Sequence, residues 1–450
     1  MTITALLIDS TVLGSAATAL LIASHLLRAP AEPAADGGGG RSGGQHGDRG
    51  SGGRGRRGGR GSAGLVRSPE VLLLAVTALL YLNQLLCAAY LLRVHGGDTG
   101  FVTRYLPPGW FDQPTGNPVV RALADHLPAP RLFAPTVLRV QAFLELPFVL
   151  LAYATVLRRL DPARYRTAIG SAPLLWSAAV SWTLVFGTVE WRFHNPWTLQ
   201  DLTIRALSAA CTTPLLLATA RRAPAGPAAT EPDPGPGTLG LLRFAAALWA
   251  VGTLVMVVYD TALLYNPAHL PTRWPEAALA LLLLAATARR PTTRTAPGPA
   301  TTALAVLLRR ILVLFLVPAL AVRYGLGFAH PQIAAAGALL VTAAALADRR
   351  IRAAAPQLAL AGTVGLLAAR YALHLTPDPY PETGLLRALV ALTATTTLLC
   401  ALADTLRTRI PGTHRLLTPV GNPEEPLRPG TAARPVQQEG SGGLRAGQGG

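Results

Sequence analysis

Apolar residues recur along this chain in long runs of Leu, Ala and Val, separated by short connections rich in Arg and Pro. A helix needs about 20 such residues to cross the hydrocarbon core of a bilayer. The pattern therefore predicts an all-α polytopic integral membrane protein with about eleven transmembrane helices. The predicted spans, of which 274–288 is short enough to be tilted or re-entrant, are 4–27, 70–93, 136–157, 170–189, 199–220, 239–264, 274–288, 304–323, 329–347, 356–375 and 385–406.

The connections between the predicted spans alternate in character. One set carries paired arginines, such as Arg158/Arg159 and Arg221/Arg222, and the other set is rich in proline and in aromatic residues such as Trp110. Connections with an excess of positive charge are retained in the cytoplasm. The alternation therefore predicts an N-terminus outside and a C-terminus in the cytoplasm. Termini on opposite sides of the membrane require an odd number of helices, as predicted here.

The predicted spans divide the chain into four regions. Residues 1–28 form the first helix, which we expect to be retained because it lacks the basic N-terminal region of a signal peptide. Residues 29–69 are rich in Gly and Arg and residues 409–450 in Gly and Pro, so both are predicted to be disordered cytoplasmic segments. The intervening residues 70–408 form a predicted membrane domain of ten helices.

The connection 94–135 is the longest one on the predicted outer side, and it is not of low complexity. It holds several prolines together with Trp110 and His126, and its sequence predicts a short helix at 118–126. Long ordered loops are functional more often than short ones. We expect this loop to cover the outer mouth of the membrane domain.

Composition supports the membrane interpretation. Of the 450 residues, 50% are hydrophobic and 14% are charged, whereas a soluble protein has about 25% charged residues. The net charge is +17, and all 40 basic residues are Arg, which excludes a catalytic or P-loop lysine. Because these arginines flank apolar segments, topology explains them better than nucleic-acid binding does. We expect a multi-pass protein in the cell membrane of a high-GC bacterium.

The sequence predicts neither a metal nor another cofactor. Cys87, Cys211 and Cys400 each lie alone within a predicted span, without the spacing of a disulfide framework, a redox pair or a zinc site. The chain also has no Walker A sequence, no GxSxG motif and no HExxH motif.

Glu145 is the strongest candidate for chemistry within a span. It lies about nine residues below the outer end of its predicted helix, a depth of roughly 14 Å at 1.5 Å per residue. Gln141 lies one turn above it on the same face, and Pro147, which follows, leaves backbone carbonyls free. An ionisable group at this depth is costly unless it faces protein or a cavity, so Glu145 is either an acid/base group or a structural, paired carboxyl.

A second group of polar residues joins two predicted spans at the outer side. His194 lies there close to Glu190 and is the group best suited to titrate near neutral pH. Arg205, in the following helix, is four residues from Asp201 and is expected to pair with it. The alternative is an interfacial aromatic belt with solvated charges.

A third set of residues lies at the outer ends of the later helices. Arginines kept at an outer end recognise a carboxylate or phosphate, or they extend to lipid headgroups. The sequence leaves both roles open for this set, which comprises Asp260, Arg323, Tyr324, Arg370, Tyr371 and His374.

Three functions fit these residues. The first is a membrane-embedded enzyme, a transferase or a cofactor-free isomerase or epimerase, with an outward-facing site built on Glu145, His194 and Glu190. Its amphiphilic substrate is lipid-linked, a hydrophobic peptide or a natural product, and reacts by group transfer or acid/base proton transfer. The second is a transporter coupled to protons through Glu145. The third is a non-catalytic membrane subunit of a biosynthetic or export complex, with a membrane or cytoplasmic protein partner.

Overall fold

The structure of the chain is a computed structural model. It describes residues 68–104, 117–126, 134–192, 194–223, 237–263, 266, 269–288, 298–312, 343, 349–375 and 381–409. These residues are almost all helical, and no strand occurs within these ranges. The predicted first helix, the Gly/Arg-rich linker up to residue 67 and the C-terminal tail from residue 410 lie outside the described residues.

Twelve helices have both ends within the described ranges, and a further stretch is helical over 299–312. The twelve are α1 (Pro69–His95), α2 (Gly100–Thr103), α3 (Pro118–His126), α4 (Ala134–Leu160), α5 (Pro162–Ile169), α6 (Ala172–Arg192), α7 (Thr198–Arg222), α8 (Thr238–Val258), α9 (Leu270–Ala286), α10 (Arg349–Ala353), α11 (Ala355–Leu375) and α12 (Pro381–Arg409).

Six of the described helices are long and apolar enough to cross a membrane. They correspond to predicted spans, and the short helix predicted at 118–126 is also present as α3. The predicted spans 4–27 and 329–347, and most of 304–323, lie outside the described residues. The six candidate spans are Pro69–His95, Arg139–Leu160, Thr198–Arg222, Thr238–Leu263, Ala355–Leu375 and Leu386–Leu406.

Local sequence sets the ends of α1. Pro69 occupies its first position, where a missing backbone N–H leaves no hydrogen bond unmade. Gly96 ends the helix in the left-handed conformation at φ 61°, and its N–H bonds the Leu91 carbonyl. The Arg93 guanidinium then donates to the carbonyls of Ala124 and Asp125 at 2.6 and 2.9 Å, which ties α3 to this end of α1.

Helix α4 lies at the centre of the bundle, because it packs against α1, α7 and α8. Its side chains Phe148, Leu150 and Leu151 are fully buried, as are Trp182 of α6 and Phe244 of α8. The two C-terminal spans, α11 and α12, pack on each other, and α12 also packs on α8. Two of the functional residues described below, Glu145 and Gln141, are held by this central helix.

Ion pairs gather at the end of the bundle where α4 ends, which we call the arginine end. Glu70 of α1 lies 2.8 Å from Arg158 and 3.4 Å from Arg159, while Asp161 lies 2.6 Å from Arg309. The paired arginines of α4 are thus partners of a carboxylate on α1. The other end, where α4 begins, we call the opposite end.

Asp404 fixes the start of the helical stretch 299–312. Its two carboxylate oxygens accept hydrogen bonds from the backbone N–H groups of Ala300 and Thr301 at 3.3 and 2.8 Å. The first N–H groups of a helix have no partner within the helix, so a carboxylate supplied by α12 caps this one. Gly298 leaves the space that the Asp404 carboxyl occupies.

Candidate functional site

Glu145 is buried in an ion pair between α4 and α7. Its Oε2 atom lies 3.1 Å from the guanidinium of Arg205, and both side chains are only 8% exposed. The pair crosses the interface of two candidate membrane spans, where an isolated charge would cost several kcal/mol. The charge that sequence analysis singled out in α4 therefore has a cation as its partner.

Glu190, in the last turn of α6, contacts the same guanidinium. Its Oε1 atom lies 3.6 Å from Nε of Arg205, and its side chain is 13% exposed. The guanidinium carbon of Arg205 also lies 3.4 Å from the centre of the Phe186 ring, on the preceding turn of α6. This stacking stabilises the charge of an arginine that is shielded from water. One arginine thus joins three helices, α4, α6 and α7.

The backbone around Pro147 explains how α7 is positioned. Proline has no N–H, so the carbonyl of Phe143, four residues earlier, loses its helical partner. The hydroxyl of Ser208 donates to that carbonyl at 2.5 Å, and Ser208 lies three residues after Arg205 on α7. Residues three apart share a helix face, so the same face of α7 bonds both the freed carbonyl and Glu145.

Among the described residues, the guanidinium of Arg205 faces two carboxyls, those of Glu145 and Glu190. Glu190 follows the predicted span 170–189 and lies outside the six candidate spans. Burial raises the pKa of Glu190 to about 8, and the approach of Arg205 opposes that rise only in part. Burial thus favours the protonated form of Glu190 over a wider pH range than for an exposed glutamate.

Two buried oxygen atoms near the cluster have no hydrogen-bond partner among the described residues. They are Oε2 of Glu190 and Oε1 of Gln141. Gln141 lies one turn from Glu145 on α4, and its amide N–H donates to the Leu263 carbonyl. Buried polar atoms without partners are uncommon in folded proteins. Oε1 of Gln141 is suited to a ligand that supplies an N–H or O–H group, whereas Oε2 of a protonated Glu190 is suited to a ligand that accepts a hydrogen bond.

Helix α8 ends in a π-helical turn over Tyr259–Leu263, which we call the π segment. A π turn shifts the register of the helix, and such turns are frequent at functional sites. Side-chain amides of the neighbouring spans bond its carbonyls, with Gln84 of α1 on Thr261 and Gln141 of α4 on Leu263. Gln141 therefore links the turn that carries Glu145 to the π segment.

The π segment carries a second buried carboxylate. Asp260 is 3% exposed, and its oxygens lie 2.8 Å from Nδ1 of His269 and 3.3 Å from Nε of Arg273. Both partners belong to the start of α9. At the opposite end of the bundle, one aspartate is thus in contact with both a histidine and an arginine.

His194 is placed differently from the other candidate acid/base residues. It lies in the turn between α6 and α7 with a positive φ of 54°, and its side chain is exposed. Its backbone N–H bonds the Trp191 carbonyl. Within the described residues its ring makes no ion pair with Glu190, although the two are four residues apart.

The remaining predicted residues are distributed between two places. Asp260 and Gln141 are brought to the π segment, as described above. Arg370, Tyr371 and His374 lie on exposed positions of α11, a helix that packs mainly on α12. Arg323 and Tyr324 lie outside the described residues. The structure thus brings Glu145, Glu190, Arg205 and Gln141 together.

Sequence analysis did not include His269, Arg273, Gln84 or Phe186 in the site. The signal that could have found the first two is their position just after Asp260, at the start of the next apolar helix. Arg205 acts electrostatically on Asp201, its predicted partner four residues earlier, and its ion pairs to Glu145 and Glu190 run between helices.

Among the residues that the structure describes, no group of three or more His, Cys, Asp or Glu side chains has the arrangement of a metal site. Comparisons of the chain with protein-family models, with curated proteins and with solved structures found no match.

Proposed function

We propose that the chain is a membrane-embedded enzyme that exchanges a proton with an amphiphilic substrate through the cluster of Glu145, Arg205 and Glu190. The substrate is lipid-linked or a hydrophobic peptide or natural product, and the reaction is a group transfer or an acid/base isomerisation. The proposal includes about eleven transmembrane helices in the cell membrane, an outer N-terminus, a cytoplasmic C-terminus and a site that opens outward.

One observation supports this proposal most directly, namely that a single buried guanidinium serves two carboxyls. Two carboxyls around one cation share a proton, and their titration belongs to the set of groups. In the proposed roles, Glu190 donates the proton to the substrate and takes it back, while Glu145 holds Arg205. Titratable groups perturbed by burial and by a charged partner are concentrated at functional sites.

The protonated carboxyl provides a test that needs no known substrate. In the purified full-length chain in lipid nanodiscs, infrared spectroscopy at neutral pH reports the carbonyl stretch of a protonated carboxylic acid. We expect this band in the wild type and its loss in both Glu190→Gln and Glu145→Gln, because each variant leaves one carboxylate for one guanidinium. Asp125→Asn, at an exposed position of α3, is the matched control and retains the band.

Function itself is tested in the organism that encodes the chain. A deletion strain complemented with the wild type, Glu190→Gln or Asp125→Asn is compared by mass spectrometry of membrane extracts. We expect the wild type and Asp125→Asn to restore a compound that Glu190→Gln does not restore, while its unreacted precursor accumulates. Full restoration by Glu190→Gln at equal protein abundance would overturn the proposal.

The π segment favours a second candidate function, a proton-coupled transporter. Interrupted helices whose carbonyls face other residues are a feature of transporter binding sites, and α8 ends in such an interruption. The complementation experiment separates the two functions. If the chain is a transporter, the strain with Glu190→Gln accumulates the same compound on the wrong side of the membrane. If the chain is an enzyme, that strain accumulates a precursor of different structure. In a third outcome, the strain with Glu190→Gln contains the normal compounds, but a protein that co-purifies with the wild-type chain no longer does so. This outcome indicates a non-catalytic subunit.

A further inference from the structure

Several arginines lie around Asp161, the residue between α4 and α5. Both oxygens of its carboxylate have partners, because Oδ2 lies 2.6 Å from Nε of Arg309 and Oδ1 accepts the backbone N–H of Arg164 at 3.0 Å. The second of these contacts caps the start of α5. Asp161 therefore holds α5 next to the helical stretch 299–312, which carries Arg309.

Helix α5 is also fixed to α7 across the arginine end. The Tyr165 side chain is buried, and its hydroxyl lies 3.1 Å from the hydroxyl of Thr219 on α7. Neighbouring residues of a helix do not share a face, so the burial of Tyr165 turns its neighbour Arg164 towards the boundary of the bundle. Arg164 is partly exposed there.

The guanidiniums of Arg309 and Arg310 lie close enough to act on that of Arg164. Burial lowers the pKa of Arg164, and the positive charges of Arg309 and Arg310 lower it further, while Asp161 opposes them. Arg309 and Arg310 are partly exposed, as Arg164 is. An anion that approaches these three groups from outside relieves the repulsion among their charges.

The last turn of α4 extends this positive region. Glu70 lies 2.8 Å from Arg158 and 3.4 Å from Arg159, so one carboxylate serves two guanidiniums. Arg158 also acts electrostatically on Tyr165 of α5, which joins the two groups. Within the described residues, the arginine end thus places two guanidiniums beside Glu70 and three in the group that includes Asp161.

We propose that Arg164, Arg309 and Arg310 bind the phosphate of an anionic lipid headgroup in the leaflet that the arginine end faces. A guanidinium presents its N–H groups in a fork that matches two oxygens of a phosphate. Helix α5 follows the candidate span Arg139–Leu160 directly, which places its arginines beside the headgroups. Basic groups between helices on the cytoplasmic side of a membrane bind such headgroups. The lipid site requires the membrane placement proposed above, but not the reaction proposed for Glu190.

Retention of lipid by the full-length chain tests this site. The chain in detergent is mixed with equal amounts of phosphatidylglycerol and phosphatidylcholine, and native mass spectrometry counts the lipids that stay bound. We expect the wild type to retain phosphatidylglycerol preferentially, and Arg164→Gln and Arg310→Gln each to lower that retention about fivefold. Arg309 is left in place because it holds Asp161.

A matched control separates this site from a diffuse attraction. Arg222→Gln removes the same charge from an exposed position at the end of α7, and we expect it to retain phosphatidylglycerol as the wild type does. An equal loss in Arg222→Gln, or equal retention by the wild type and both other variants, would overturn the proposal. A phosphatidylglycerol with a photoreactive headgroup requires no variant. We expect it to label peptides of α5 in the wild type, and labelling that omits α5 would also overturn the proposal.

Unfolding temperatures in nanodiscs distinguish a lipid from a soluble anion. A ligand that binds only the folded chain raises its unfolding temperature. We expect phosphatidylglycerol, compared with phosphatidylcholine, to raise that of the wild type more than that of Arg164→Gln. Inorganic phosphate added to phosphatidylcholine nanodiscs should have no more effect than sodium chloride at the same ionic strength. Stabilisation by inorganic phosphate alone would assign the arginines to a soluble phosphate and contradict a lipid site.

Discussion

At the scale of single residues, the site depends on one arginine that is shared. Arg205 touches two carboxyls and an aromatic ring in a place where none of these groups meets bulk water freely. Removing one partner of a buried ion pair leaves the other uncompensated, which typically costs about 3–5 kcal/mol. A substitution that keeps size and hydrogen bonding, such as glutamate to glutamine, is therefore a safer probe than alanine.

Ser208 and Pro147 provide a prediction at this scale. Ser208→Ala leaves the Phe143 carbonyl, freed by Pro147, without a donor, which should destabilise the fold by about 1–3 kcal/mol. Pro147→Ala restores the helical N–H, so the same serine substitution should cost less in that background. The measurement is thermal unfolding followed by the fluorescence of the seven tryptophans, as a double-mutant cycle. Additive effects of the two substitutions would contradict the proposed coupling.

The sequence indicated part of this site for physical reasons. A carboxyl and a proline inside an apolar run are anomalous for a membrane span, so Glu145 and the freed carbonyl near Pro147 could be anticipated. The partner of Glu145 could not, because spacing within one helix says nothing about which faces of two helices meet. The pairing expected between Arg205 and Asp201 used the only contact rule that a single helix offers.

At the scale of elements, small residues decide how closely two helices approach. A Cβ atom added to Gly365 of α11 would lie 2.6 Å from the Thr396 hydroxyl and 3.0 Å from the Leu392 carbonyl of α12. A Cβ atom added to Gly362, one turn away, would meet nothing within 4 Å. Small residues permit this kind of close packing between membrane helices.

The two glycines form a matched pair of substitutions. Gly365→Ala should push α11 away from α12 and lower stability by about 1–3 kcal/mol. Gly362→Ala should be neutral or stabilising by up to about 1 kcal/mol, because alanine favours a helix more than glycine does. Unfolding temperatures in the same detergent measure both. Equal effects of the two substitutions would show that the helices do not meet through Gly365.

The elements also differ in how far the sequence could define them. Long apolar runs predicted α1, α4, α7 and α8 well, since only a helix satisfies the backbone inside a bilayer. The π segment could not be predicted, because no residue type specifies a π turn and its carbonyls are held by glutamines from other helices. His269 and Arg273 follow Asp260 closely in the sequence, which marks them as candidates, but their contact with Asp260 depends on where the π turn places that residue.

At the scale of the whole molecule, both ends of the bundle carry ion pairs, and exposed tryptophans lie near the opposite end. Ion pairs of Glu70 and Asp161 with arginines lie at the arginine end, while Trp191, Trp197 and Trp274 are exposed near the other. Aromatic residues favour the boundary between lipid and water. In the proposed orientation, the arginine end faces the cytoplasm.

Labelling from outside intact cells tests this orientation. In a background with the exposed Cys211 replaced by alanine, cysteine is introduced in place of Asp125 or Arg222, both of which are exposed. A membrane-impermeant maleimide should label Asp125→Cys on intact cells, and Arg222→Cys only after permeabilisation. The reverse pattern would invert the topology and place the cluster of Glu145, Arg205 and Glu190 nearer the cytoplasm.

The depth of Glu145 has a consequence for energetics in a living cell. It lies six residues from the start of its candidate span at Arg139, about 9 Å at 1.5 Å per residue, or roughly a third of a 30 Å hydrocarbon core. Moving one elementary charge across the whole membrane is worth about 2.3 kcal/mol per 100 mV, so a third of that drop contributes about 0.8 kcal/mol. When the opposite end of the bundle faces outside, a membrane potential that is negative inside draws protons from outside towards Glu145 and Glu190. The protonated fraction of these carboxyls is then higher in a cell that maintains its membrane potential than in a depolarised cell.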